Sequence, residues 1–301
     1  MSKIKLLLFY LAIILSGSLH AQSGKGLDEG NDIGRKNLSA IRLKNMKLIV
    51  LLDNDAAFAS DVLISSVEKY WKLTAYDFVK AEQCSEYISD DKYAVLGLFK
   101  HVSGDKSKKA TEYTFSILLG NKKNKKVNDA EIVASVSLPD IETFNSGNKL
   151  MEYDYLIPFF IKNLDATIND YLNKKVNKIE KKKNAYFYND GFEVLKNKKV
   201  LISKNATGKY FKIKQFCKNF SLKSEQVKLA DKQEIADAIE AQDEQIAFIY
   251  DITTNGKIFD AKTSKPLAYG TGINVLKFEL IGYSISAVLV VAAMIAFVSS
   301  L

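Results

Sequence analysis

The sequence is short of the residues that mark several functional classes. It has two cysteines, two histidines, three prolines and one tryptophan. Cys84 and Cys217 cannot build a disulfide-rich scaffold, and they form no C-x-x-C pair for thioredoxin-type exchange. An oxidising compartment would permit one bridge between them. Both fall on stretches that read as helices, so free thiols packed as small hydrophobes are expected. His20 lies in the apolar leader, which leaves His101 as the one histidine of the body. A zinc site of the usual kind would need both cysteines to converge on it. No G-x-S-x-G, G-x-G-x-x-G or G-x-x-x-x-G-K-[ST] motif follows a strand pattern, so hydrolase and nucleotide-binding signatures are missing. We therefore assign no catalytic residue, no metal and no cofactor from the sequence.

Charge is present in both signs, with 43 basic and 35 acidic residues and a net charge of +8. The lysines gather in short mixed runs such as Lys122-Lys123-Asn124-Lys125-Lys126 and Lys178-Ile179-Glu180-Lys181-Lys182-Lys183. In an exported protein such runs suit anionic lipid, polysaccharide or a protein partner better than nucleic acid; they also suit plain solvated loops.

Two apolar segments bracket the chain. Residues 1–21 have the parts of a secretory signal: Lys3 and Lys5, an apolar stretch to Leu15, and small residues up to Ala21. Without cleavage the same stretch would act as an anchor, and either way the body is exported. Residues 281–301 carry no charged side chain. As a helix, a run of this length spans about 30 Å, the thickness of a bilayer's hydrocarbon. The expected product is a single-pass cell-membrane protein of the envelope with its body extracytoplasmic, periplasmic if the cell is Gram-negative. A hydrophobic helix buried against the body is the competing reading.

Between these ends the pattern alternates in the manner of an α/β protein. Residues 22–42, rich in glycine, read as a flexible lead-in. Met46–Leu52 reads as a strand buried on both faces, and Ser60–Trp71 as a helix with an apolar stripe. Tyr76–Val79, Glu82–Ile88 and Tyr93–Phe99 continue as strand, helix, strand, and 112–119 with 130–138 suit a hairpin. A long amphipathic helix follows from about Leu150 to Ile179, interrupted near Pro158. This gives a first α/β unit at 43–183, a second at 184–270 and a linker at 271–280.

The second unit echoes the first. Leu43-Lys44-Asn45 returns as Leu195-Lys196-Asn197, and the order of elements over 43–99 recurs over 195–250. The predicted fold is a three-layer open sheet built from two duplicated βαβαβ units. Two independent βαβαβ stretches of one sheet would look the same.

Two constellations stand out as candidate sites. Asp53, Asp55 and Asp61 follow the first strand, at the carboxyl edge where open sheets bind ligands or metals. They equally suit a solvated turn. Tyr186, Tyr188 and Phe192 lie in an aromatic segment flanked by lysines, a surface suited to an envelope protein or a glycan if it is exposed. Otherwise they form a strand ending at Asn189-Asp190-Gly191.

Overall fold

The structure is a computed structural model that describes residues 29–52, 60–103, 110–138, 153–175, 178–182, 185–204, 213–250 and 256–270. Asp53, Asp55 and the run 281–301 lie outside these residues. In chain order come α1 (Glu29–Lys44), β1 (Lys47–Leu52), α2 (Ser60–Tyr70), β2 (Tyr76–Lys80), α3 (Cys84–Ile88) and β3 (Tyr93–Ser103). Next are β4 (Ala110–Leu119), β5 (Glu131–Ser137), α4 (Ile157–Leu172), β6 (Ile179–Lys182), β7 (Ala185–Tyr188) and α5 (Gly191–Lys196). The described chain closes with β8 (Lys199–Ser203), α6 (Ile213–Phe220), β9 (Val227–Ala230), α7 (Lys232–Glu240), β10 (Ile246–Ile249), β11 (Lys257–Asp260) and β12 (Pro266–Gly270).

The fold is mixed α/β, but the strands form two mixed sheets where one open sheet was expected. The first has the order β2-β1-β3-β4-β5, and the second β6-β7-β12-β11-β10-β8-β9. Helix α1 meets the first sheet where it stops, at β5. Lys36 Nζ donates to Ile132 O at 2.8 Å, Arg42 pairs with Glu131 at 2.9 Å, and Ser39 hydrogen-bonds the same carboxylate. These bonds lay the helix along the start of the β5 edge, the kind of cover that protects an edge strand. The stretch 22–42, read as loose from its glycines, thus carries most of a helix. Its Ala40 and Leu43 are buried, and Asn37 donates to Tyr171 O at 2.7 Å.

Each sheet holds a parallel triplet with one order. β1 lies between β2 and β3, and β8 between β9 and β10, all parallel. An antiparallel strand then follows in both, β4 on β3 and β11 on β10. The helices do not keep their sides. α2 faces the central core and α3 the outer core of the first sheet, whereas α6 lies in the outer core of the second sheet and α7 in the centre. The two sheets therefore present opposite faces to the same central helix.

That helix is α4. Its consecutive residues point about 100° apart, which lets Phe159 and Phe160 serve different sheets. Phe160 meets Phe115 of β4 at 5.9 Å; Phe159 meets Phe248 of β10 at 5.1 Å and Phe259 of β11 at 4.8 Å. Tyr250 adds a direct link between the sheets by donating to Ser137 O at 3.0 Å. Pro158 sits in the first turn, where its missing N–H costs nothing, so it starts the helix and does not bend it. The helix ends well before Ile179. Lys174 turns left-handed at φ 51°, with Lys174 N bonded to Tyr171 O and Lys175 N to Asp170 O. This closure releases the following lysines into a connection and places Ile179 in β6.

A buried ion pair fastens the second sheet. Lys198 and Asp260 meet at 2.9 Å with side chains only 8% exposed each. Lys198 also donates to Glu244 O, and Asp260 accepts from Thr263 N at 2.8 Å. The pair ties the start of β8 to the β11–β12 turn. Cys84 and Cys217 are both free, one beside each outer core, and burial raises both thiols above their ordinary range.

Candidate functional site

At the acidic edge, β1 runs into α2 on the central side and β2 leads to α3 on the outer side. The helices that follow these two neighbouring strands thus lie on opposite faces of the sheet, the arrangement at which such sheets accept ligands. Asp53 and Asp55 continue from β1 outside the described residues. Asp61 stands exposed in the first turn of α2, where a carboxylate suits the helix dipole. β3 extends to Ser103, which puts His101 inside the strand opposite Glu112 and not in a loop. Among the described residues, no three His, Cys, Asp or Glu side chains gather so as to hold a metal ion.

The aromatic segment is better defined, and the pleat divides it. In β7, Ala185 and Phe187 turn into the outer core of the second sheet, so Tyr186 and Tyr188 face the opposite side. Phe192, on α5, packs edge-on against Phe187 at 5.1 Å. It therefore lies across the sheet from the two tyrosines. Its ring is covered by Lys182 Nζ at 3.8 Å and Lys196 Nζ at 4.4 Å. Both lysines are themselves neutralised, by Glu180 at 3.3 Å and Glu193 at 2.9 Å. Phe192 is half-buried and packs against the outer core of the second sheet.

The tyrosine face is completed by residues that the sequence did not single out. Strand register aligns Lys181, Tyr186, Tyr269 and Lys257 in one rung across β6, β7, β12 and β11. Tyr186 and Tyr269 stack at 4.8 Å with their rings 8° apart, and Tyr188 leans on Tyr269 at 5.5 Å. Lys181 Nζ lies 5.5 Å over the Tyr186 ring. Ile179, opposite Tyr188 in the register, is 41% exposed. Among the described residues neither Lys181 nor Lys257 has a carboxylate partner, in contrast to the paired lysines on the other side of the sheet.

The chemistry of this face follows from the stack. Tyr186 and Tyr269 are half-buried and cover one face of each other's ring, with Lys181 over the Tyr186 ring. The Tyr188 phenol is pushed up to about 12 by burial and then by neighbouring Tyr269, so it keeps its proton at any physiological pH. The lysine ammonium groups at the two ends of the rung are hydrogen-bond donors suited to an anionic surface. Nothing in the rung offers an activated nucleophile or a general base.

Among the described residues no helix is long and apolar enough to cross a membrane. Comparison with protein-family models, with curated proteins and with solved structures gives no match.

Proposed function

We propose that this chain is a membrane-anchored envelope protein, exported by residues 1–21 and tethered by residues 281–301. Its extracytoplasmic α/β body binds a partner or serves structurally, and the body derives from an internal duplication. The observation that supports the binding role is the Lys181–Tyr186–Tyr269–Lys257 rung, whose two lysines have no carboxylate partner among the described residues. The duplication is supported by the matching orders β2-β1-β3-β4 and β9-β8-β10-β11. Tethering rests on the uncharged sequence 281–301 and on the satisfaction of backbone groups that a spanning helix provides.

Sidedness is tested with a single reporter thiol. In a Cys84→Ser/Cys217→Ser background, Lys123→Cys places a thiol in the exposed 121–126 loop. A membrane-impermeant maleimide should label it in cells whose outer barrier, if present, has been opened. Labelling only after lysis of the cytoplasmic membrane would contradict the proposal.

A second reading, a small-molecule-binding or metal-dependent hydrolytic domain, draws on the helices that follow β1 and β2 on opposite faces of the sheet and on Asp53 and Asp55, next in sequence after β1. It requires that Mg²⁺ raise the melting temperature of the parent chain and not that of Asp53→Asn.

A further inference from the structure

We infer that the Tyr186–Tyr188–Tyr269 face docks on the anionic headgroup surface of the membrane that holds residues 281–301. The inference rests on the tethering proposed above. Its first ground is continuity of the chain. β12 ends one residue past Tyr269, and the uncharged run begins at Ile281. Even fully extended, the intervening chain covers only about 40 Å. This face therefore lies, along the chain, within about 40 Å of the uncharged run and can reach the bilayer that holds it.

Chemistry is the second ground. Tyrosine concentrates at membrane–water interfaces because the ring tolerates the acyl boundary while the hydroxyl stays hydrated. Here three tyrosines and the exposed Ile179 share one sheet face, about 15 Å wide across four strands. The third ground is charge. Lys181 and Lys257 flank the tyrosines without carboxylate partners among the described residues, and Lys178 stands exposed at the entry to β6. Long lysine stems let the ammonium reach phosphate groups while the methylenes lie over apolar surface. Each such lysine biases the docked state roughly fivefold over an anionic leaflet.

The test uses the full chain reconstituted in vesicles of phosphatidylcholine, with or without phosphatidylglycerol. In the cysteine-free background, a spin label is attached at Ile179→Cys, on the face, or at Lys123→Cys, on the other sheet. Docking predicts that the label at 179 becomes accessible to oxygen and shielded from a water-soluble nickel chelate when phosphatidylglycerol is present. The label at 123 should stay open to the chelate in both. Lys181→Gln and Lys257→Gln should each shift the docked-to-free ratio roughly fivefold toward free, and high salt should do the same.

A chain that leaves the vesicles in a carbonate wash would sink the tethering. A chain that stays but shows the same nickel access at 179 and 123 would sink the docking alone. Shielding at 179 in detergent micelles as well would mean that protein, from this chain or a second copy, covers the face, and would also overturn the inference.

Discussion

Asn45 and Asn197 make the same hydrogen bond at the ends of two different helices. Each Nδ2 donates to the carbonyl four residues earlier, Ile41 O at 3.2 Å and Glu193 O at 3.5 Å. The backbone repeats with them: Met46 N bonds Leu43 O and Lys198 N bonds Leu195 O, then Lys47 N meets Lys92 O and Lys199 N meets Gln245 O. A helix end, a two-residue turn and a central parallel strand thus recur with their bonding intact. These bonds are exposed, so Asn45→Ala and Asn197→Ala should each cost about 0.5 kcal/mol, at the low end for a hydrogen bond. The shorter bond at Asn45 should cost more. Urea denaturation of both single variants and the double variant should give additive losses, since the sites share no partner.

Much of the succession of strands and helices along the chain was legible because both triplets follow local rules. Met46–Leu52 is apolar on both faces, and Leu48, Ile49 and Val50 are indeed all buried. The echo of Leu43-Lys44-Asn45 in Leu195-Lys196-Asn197 marks a real structural repeat of the turn. What stayed hidden depends on contacts between distant segments. Helix α1 has few large apolar residues, and its placement relies on polar bonds from Asn37, Ser39 and Arg42 to α4 and β5. The end of α4 is set by Lys174 in a left-handed conformation that lysine does not advertise. Tyr269 and Lys257 join Tyr186 only through register, which no local window encodes, and the pleat then removes Phe192 from their company.

Phe159 tests whether the sheets fold as one body. It is fully buried between Phe160, Phe248, Tyr250 and Phe259. Phe159→Ala should lower stability by about 3–5 kcal/mol through lost transfer energy and a residual cavity. Because both sheets share this core, fluorescence and circular dichroism should report one coincident transition. Two separated transitions would show that the sheets hold together independently.

Loss of either member of the Lys198–Asp260 pair strands a buried charge. Lys198→Met should therefore cost about 3–5 kcal/mol, and adding Asp260→Leu should recover part of the loss. Thermal melts of the three variants measure this coupling. Strictly additive losses would mean that the two groups do not act as a pair.

Tyr188 provides a pH signature. Its folded-state phenol lies at about 12 against an ordinary value of 10. The folded chain therefore holds a proton that the unfolded chain releases. The associated stability is present in full below pH 10 and is lost as pH rises through about 12. Urea midpoints should fall over this window, and the fall should be smaller in Tyr188→Phe. An unchanged slope in that variant would place the raised phenol elsewhere.

The most direct measurement of the central claim is a carbonate wash of membranes from cells producing the full chain or a chain ending at residue 280. Tethering predicts that the full chain stays in the pellet and that the shortened chain appears folded in the soluble exported fraction. In the first half of the molecule, the strand β5 is followed by a helix, α4, that packs on protein. If residues 281–301 are a counterpart of that helix, the full chain will wash into the supernatant and the shortened chain will unfold, and the membrane-anchored account fails.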